Sequence, residues 1–565
     1  MTSTRTPLPL GAIALDASPP EIAPAPPHLG RSRESLSGHP AWSRLLARLV
    51  PHYEYDDTRF FAADDAPADV AALRRAAFMR LAAIYRERFA STRRLTTVTA
   101  DALSDLQLTS AYRVPFQFRG LVRIHLGSGA FIRSSSGVTL TDLDGNRFYD
   151  LTGSYGVNVF GHDFYKGSIA RGSNRVEELG AVLGSYHPVV AHNVRRLREI
   201  SGHDEVSFHM SGTEAVMMAV RLARYHTGRR RIVRFAGAYH GWWGDVQPGV
   251  GNPVPPRDTL TLREMSAASL RALRRHGDIA CVLVNPVQAL HPNRSPPADS
   301  ALIDSSRTAH FDRDGYAAWL ANLRDLCTRC GIVLILDDIF TGFRLAPGGA
   351  QQFFGIRADL VTYGKSLGGG LPIGVLCGRG DLMRRFRDDR PADICLARGT
   401  FNSHPYVMGA MAELLDSLER PEIRKLYEGL DEKWTARRER FNLRLRNEGL
   451  PVRAANLSSV WTILYTTPSH YNWMLQFYLR AEQLALSWIG TGRLIFSLDY
   501  TDAEFDAVTE RFVAAARAMR DDGWWWSDGT LTNRAIRRRI LAEMIAARLG
   551  RAQTTTRRDA TRPDR

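Results

Sequence analysis

Between residues 161 and 398, short apolar runs alternate with stretches of helical periodicity, and this alternation restricts the fold more than any other feature of the chain. The runs fall at 206–210, 231–236, 280–284, 332–336 and 360–363. Each is too short for a buried helix, and the text between them is long enough for crossover connections. The pattern predicts an α/β fold: βαβ units forming a mixed, mostly parallel sheet flanked by helices. The flanks read differently. Residues 1–40 are Pro/Ser/Ala-rich, and a disordered segment is expected there. Residues 41–110 have the Arg/Ala-rich pattern of a helical extension. Asp144-Gly145 supplies a hairpin turn, and the last third mixes long helices with strands near 458–465 and 494–498. The expected organisation is therefore a large domain over 166–400, a smaller α+β domain from 111–165 and 401–530, and a basic tail over 531–565.

Open parallel sheets bind ligands beyond the carboxyl ends of their strands, so the residues that follow each run are where chemistry is sought. The run 206–210 leads into Ser211-Gly-Thr-Glu-Ala. A small-residue turn at a helix start offers free N–H groups and a positive dipole end to a phosphate; taken alone, a plain N-cap is the simpler reading. After 231–236 comes Gly237-Ala-Tyr-His-Gly. Tyr239 could stack on a flat heterocycle or simply pack, and His240 fits either a cofactor neighbour or a hydrogen-bonded structural role. The run 332–336 ends in Asp337-Asp338, a pair costly to bury without a cation, a metal or water.

The fourth group is an amine. Of 74 basic residues only four are lysine: Lys166, Lys365, Lys425 and Lys433. Three lie in polar surroundings, whereas Lys365 follows the run 360–363 inside an apolar, glycine-rich stretch. Desolvation lowers a lysine pKa and leaves a nucleophilic amine. A phosphate nest, an aromatic plate, a carboxylate and an amine together fit pyridoxal 5′-phosphate, held by the lysine as an imine and kept protonated at its ring nitrogen by the carboxylate. A Mg²⁺-phosphate site would use the acids and the nest but leave the lysine and the aromatic without a joint role.

Longer motifs extend this reading. Asp142-Leu-Asp-Gly-Asn-Arg-Phe-Tyr-Asp-Leu, Gly153-Ser-Tyr-Gly, Ser211-Gly-Thr-Glu-Ala, Ala238-Tyr-His-Gly, Asn285-Pro-Val-Gln, Asp337-Asp-Ile-Phe-Thr-Gly-Phe-Arg, the run from Asp359 through Lys365 to Pro372, and Gly399-Thr-Phe occur in this order. Over roughly residues 115–520 the chain resembles the class III, fold type I, PLP-dependent aminotransferases, in particular their glutamate-1-semialdehyde aminomutase-like branch. The resemblance implies that Lys365 holds the cofactor and shuttles a proton, and that Asp337 pairs with the pyridinium nitrogen. It places Tyr239 and Ile339 on the two ring faces, with His240 nearby, and Ser211, Gly212 and Thr213 at the phosphate. Gln288 would reach the ring hydroxyl. Thr400 would bind the phosphate of the neighbouring subunit, which implies a homodimer. Ser154 and Tyr155 would line the substrate pocket. Arg119 is the nearest match to a carboxylate-binding arginine, with its spacing off by one residue. Two departures concern substrate recognition: Asn285-Pro286 replaces the usual Glu-Pro, and Asp337-Asp338 the usual Asp-Glu.

Three functions are compatible with a PLP fold. Transfer of an amino group from a small-molecule donor to a ketone or aldehyde comes first. The texture around Thr152-Gly-Ser-Tyr-Gly resembles aminotransferases of polyketide and nonribosomal peptide pathways, so the acceptor is expected free or tethered to an acyl carrier protein. A 1,2-aminomutase would use the same residues without a separate donor. A PLP-fold transcription regulator needs a helix-turn-helix with a wing, and 41–105 shows no such text. The net charge of +15 first suggests nucleic acid, yet 534–565 alone carries ten arginines against three acids, so no nucleic-acid partner is expected. No run of 18 apolar residues predicts a membrane span, and residues 1–30 lack a signal-peptide core. With five cysteines and no disulfide scaffold, a cytoplasmic protein is expected. The spacing Cys327-Thr-Arg-Cys330 has no second pair, so no metal site is expected. Trp524-Trp-Trp526 reads as a packed plug.

Overall fold

The computed structural model describes residues 40–111, 114–127, 129–247, 249–252, 254, 257–286, 305, 312–487 and 492–558. Seven strands form the central sheet: β1 (Glu205–His209), β2 (Arg231–Phe235), β3 (Thr259–Leu262), β4 (Ile279–Val284), β5 (Val333–Asp337), β6 (Leu360–Gly364) and β7 (Gly374–Gly378). Their order across the sheet is β1-β7-β6-β5-β4-β2-β3. The pairs from β3 to β6 are parallel, whereas β7 runs antiparallel to both its neighbours. The central strands β4, β5, β6 and β7 are buried along their whole length, as expected for strands covered by helices on both faces.

The covering helices are delimited by local chemistry. Gly212–Thr227 starts at Ser211, whose Oγ accepts from the Glu214 N–H, and stops at Gly228 in the left-handed region. Arg313–Cys330 starts at Asp312, whose carboxylate accepts from the Gly315 N–H at 2.8 Å, and stops at Gly331. The spacing of Ala215, Ala219, Leu222 and Ala223 turns one face of the first helix onto the sheet.

A second, smaller layer holds two sheets. One has the order Ile132–Ser136, Thr139–Asp142, Arg147–Asp150, Leu484–Ala485, with the hairpin at Asp144-Gly145 in place. The other pairs Val452–Leu457, Val460–Tyr465 and Arg493–Ile495, all antiparallel. Ile495 N–H donates to the Leu151 carbonyl (2.9 Å) and Leu498 N–H to that of Val159 (2.7 Å), so this layer grips the segment 151–159 beside the central sheet.

The region 41–110 is helical, with its longest helix at Ala68–Arg88. Its aromatic residues pack against 471–477 and Trp524: Phe60 meets Phe118 at 5.5 Å and Trp473 at 6.3 Å between ring centroids. Trp524 is fully buried and its indole donates to the Tyr478 hydroxyl at 2.7 Å, the role expected of a plug. The basic C-terminal stretch is helical over Asn533–Arg558. The proline-rich segment 1–39 lies outside the described residues.

Candidate active site

The antiparallel course of β7 decides what the site can contain. Parallel strands bring their ends to one edge of the sheet; an antiparallel strand brings its beginning there. The segment 370–373, which enters β7, thus joins the residues that leave β1, β2, β4, β5 and β6, and together they enclose a cavity of about 340 Å³. Lys365, immediately after β6, reaches its floor and has φ +49°, a conformation costly for a side chain and one that clusters at functional sites. Burial pushes the Lys365 amine down to about 8; Asp337 opposes that shift, and the charges of Arg344 and Arg493 add to it.

Asp337, the last residue of β5, is buried and held from three sides. His240 Nδ1 lies 2.8 Å from its Oδ2, the Ile339 N–H donates to Oδ1 at 3.3 Å, and Thr362 Oγ1 lies 3.4 Å from Oδ1. The His240 bond requires the ring proton on Nδ1; its Nε2 is buried without an acceptor or donor among the described residues. Asp338 turns away from the cavity and accepts from the Thr341 hydroxyl and from the Ala350 N–H (2.8 Å). Its complete burial raises its carboxyl to about 7.

The opposite wall is the start of the helix Gly212–Thr227, where Ser211, Gly212 and Thr213 line the cavity. The first N–H groups of a helix have no acceptor within it. A Cβ on Gly212 would lie 2.9 Å from the Ile339 side chain, so this glycine sets how closely the helix approaches the loop after β5. Tyr239 lines the mouth, half exposed, with its phenol pKa raised by burial and by Asp337. Asn285, which stands where the usual family motif has glutamate, donates from Nδ2 to the Tyr239 carbonyl at 3.1 Å and so fixes that loop.

Of the residues singled out in the sequence, the fold brings together Lys365, Asp337, Ile339, Ser211, Gly212, Thr213, Tyr239 and His240. Thr400 is exposed and lies outside the cavity of its own chain. Ser154 and Tyr155 occupy a left-handed turn beside the cavity, but the wall is made by Val157. Arg119 is not part of the wall either: its Nε turns back onto the Val114 carbonyl at 3.2 Å. Gln288 lies outside the described residues. Cys327 and Cys330 are free thiols, and among the described residues no group of three metal-ligating side chains occurs. The structure adds Phe340, whose ring centroid is 4.4 Å from Lys365 Nζ, and the charges of Arg344 and Arg493. Phe340 and Arg344 lie within the Asp337 motif, which could have pointed to them. Gly370, Leu371 and Pro372 lie within the Lys365 motif, but their place in the wall depends on the antiparallel course of β7, which no local pattern announces.

The chemistry of this donor set fits a phosphorylated pyridine aldehyde: an amine for the aldehyde, a carboxylate for the ring nitrogen, two flanking walls, and free N–H groups for a phosphate. Comparison with known proteins agrees. The sequence model of the family described as aminotransferase class-III matches residues 125–246 and 313–512, more than half the chain.

The chain belongs to the class III aminotransferases.

Members of this family are pyridoxal 5′-phosphate enzymes of fold type I, and the chain is accordingly a PLP-dependent transaminase or aminomutase, glutamate-1-semialdehyde aminomutase-like in sequence. It is 32% identical over 362 residues to a glutamate-1-semialdehyde 2,1-aminomutase of Geotalea daltonii, covering 61% of this chain and 78% of that protein. It is 35% identical over 315 residues to the enzyme so named in Acetivibrio thermocellus, covering 53% and 68%. Among solved class III structures, a β-phenylalanine aminotransferase from Variovorax paradoxus superposes with a TM-score of 0.61 at 27% identity, covering 80% of this chain and 98% of that one. A glutamate-1-semialdehyde aminomutase from Pseudomonas aeruginosa shares the fold with a TM-score of 0.62 at 18% identity, covering 79% and 99%.

Proposed function

We propose that the chain transfers an amino group from a small-molecule donor to a ketone or aldehyde of a biosynthetic intermediate, free or bound to an acyl carrier protein. The observation that carries this reading is the juxtaposition, in one cavity, of a desolvated lysine with a buried, hydrogen-bonded aspartate facing a helix N-terminus. When bound, PLP supplies an aldehyde that takes up amines and a ring that accepts electrons. Lys365 Nζ would hold it, and as a free amine would move the substrate proton as general base and acid. Asp337 keeps the ring nitrogen charged, and His240 orients that carboxylate through its Nδ1–H. Gly212 and Thr213 offer N–H groups to the phosphate, while Tyr239 and Ile339 hold the ring between them.

We read the working unit as a homodimer. Thr400 is exposed and is flanked by exposed apolar residues, Leu396 (81%) and Phe401 (51%), which suits a segment completing the site of a second copy.

A second reading, a 1,2-aminomutase, is favoured by the names of the sequence relatives. Both readings place the same demands on Lys365 and Asp337. They separate in the half-reaction. With purified holoenzyme and a panel of single amino acids, a donor that shifts the cofactor absorbance without any acceptor supports transfer. If none does, while a vicinal amino aldehyde is isomerised by the amine form of the enzyme, the mutase reading replaces it. Borohydride should fix the cofactor to the peptide that contains Lys365, and Lys365→Ala should abolish that adduct and lower turnover by about 10³-fold or more.

A further inference from the structure

Arg344 is completely buried in the loop that leaves β5. Burial lowers this guanidinium to about 10, so it is charged at neutral pH, and it is costly to bury unless its donors are matched. Its Nη1 donates to Ser459 Oγ (2.9 Å) and to the Phe496 carbonyl (2.7 Å), and its Nη2 to the Asn158 carbonyl (2.8 Å). None of these acceptors is a carboxylate, so the bonds engage the two Nη groups without neutralising the charge, and the buried Nε has no partner among the described residues.

One acceptor lies next to the cavity wall and the other two belong to the smaller layer. Asn158 follows the wall residue Val157, Phe496 follows the strand Arg493–Ile495, and Ser459 lies in the turn between the two strands paired beside it. On its other side, the loop from Asp337 to Arg344 carries Ile339 and Phe340. The Phe340 ring centroid lies 4.4 Å from Lys365 Nζ and 5.9 Å from Arg344 Cζ, and a Cβ on Gly156 would come within 2.8 Å of the ring. The ring therefore has no free space between guanidinium, amine and turn.

We propose that Arg344 is a positioning residue of the active site: it pins the loop after β5 to Asn158, Ser459 and Phe496, fixes the Phe340 ring against Lys365, and sets a positive charge behind the amine. The charged groups facing that amine are Asp337 from β5, Arg344 from its loop and Arg493 from the neighbouring sheet; Asp337 favours the protonated amine and the two arginines the neutral one. Through Asp337 the amine also feels His240. Removing the Arg344 charge leaves Asp337 less opposed, so Lys365 should hold its proton to higher pH.

With four lysines in the chain this can be read directly. Cofactor-free protein is pulsed with acetic anhydride across about pH 6–11, and acetylation of Lys365 is followed by peptide mass spectrometry with Lys166, Lys425 and Lys433 as internal references. Wild type should label Lys365 at a midpoint below the other three. Arg344→Gln should raise that midpoint by about one unit with the references unmoved, and Arg344→Lys, which keeps the charge, should raise it less. An unmoved midpoint in a glutamine variant that melts like wild type overturns the proposal, as does an equal rise in the lysine variant. If the glutamine variant does not fold, Arg344→Met carries the same comparison. The inference rests on Lys365 as the reacting amine, but the labelling involves no turnover, so failure of the transfer reading and failure of this one remain distinguishable.

Discussion

Lys365 carries a cost before any cofactor is present, and the sign of that cost can be worked out. Its amine titrates at about 8 in the fold against 10.5 in the open chain. Between those values the unfolded chain binds more protons, so stability rises with pH across the window. The penalty is full below about 8 and gone above the open-chain value. Lys365→Met in the cofactor-free protein should therefore gain about 3 kcal/mol at pH 7, and the gain should vanish as the pH approaches 10.5. Denaturant titrations at both ends of that range check it, and an equal gain at both would refute the desolvated amine. Asp338 offers a second test. It packs directly against Gly349, where even a Cβ would collide with its carboxylate. Restoring the usual glutamate by Asp338→Glu adds a methylene to a filled site and should cost about 1–3 kcal/mol of stability. The Asp337-Asp338 departure from the usual motif is thus matched by local space. The same scale shows why some site residues were legible in the sequence and others not. Lys365, Asp337 and Ser211 each follow an apolar run and inherit their place from the sheet. Arg344 stands in the Asp337 motif, but its contacts, such as that with Ser459 more than a hundred residues away, and the approach of Arg493 are encoded by no local pattern.

At the scale of elements, burial decided what could be read. β4, β5 and β6 are almost continuous apolar runs because helices cover both their faces, whereas β2 is interrupted by Arg231 and Arg234. β3 was missed because it is an edge strand of alternating Thr and Leu, half-buried throughout. β7, Gly-Val-Leu-Cys-Gly, is too short and too rich in glycine to be told from a loop, although it separates β1 from β6. Two local devices then shape the cavity. At the helix start, Ser211 Oγ accepts from the Glu214 N–H (3.2 Å) while the Glu214 carboxylate accepts from the Met210 N–H (2.9 Å). This reciprocal cap fixes the N–H groups proposed for the phosphate. Ser211→Ala should cost about 1 kcal/mol of stability and weaken retention of the cofactor, measured by its release on dialysis. The other device is the turn Gly153–Gly156, whose four residues all have positive φ. Gly156 sits at φ +99° against the Phe340 ring. Gly156→Ala should displace that ring and reduce kcat/KM by tenfold or more, about 1.4 kcal/mol of barrier, with melting temperature little changed if the turn yields rather than the fold.

On the scale of the whole molecule, the two ends of the described chain stabilise each other away from the cavity. The extension is anchored by Arg74, fully buried, which pairs with Asp64 (2.7 Å), donates to the Gly523 carbonyl (2.8 Å) and lies 4.4 Å over the Tyr471 ring. The C-terminal helix Asn533–Arg558 then closes over it. The Glu543 carboxylate accepts from the hydroxyls of Tyr53 (3.1 Å) and Tyr55 (2.6 Å) and from Arg59 (2.8 Å), while Arg539 donates to the Ala63 carbonyl (2.8 Å) and pairs with Asp65. Part of the positive charge that first suggested an anionic partner is therefore spent inside the molecule. Glu543 is the one acid of the described part of this helix and the acceptor common to three donors, so Glu543→Gln should lose about 1–3 kcal/mol, the cost of leaving such donors poorly matched. Ending the chain after Thr532 removes Arg539 and the buried Ile536 as well, and should lower the melting temperature further and expose 53–65 to protease. Neither change touches a residue lining the cavity. Both variants should therefore keep the borohydride-fixed cofactor on Lys365 at temperatures below their melting point. If truncation instead abolished the adduct in a folded protein, the terminal helix would have to act on the active site, and its role would no longer be stabilisation alone.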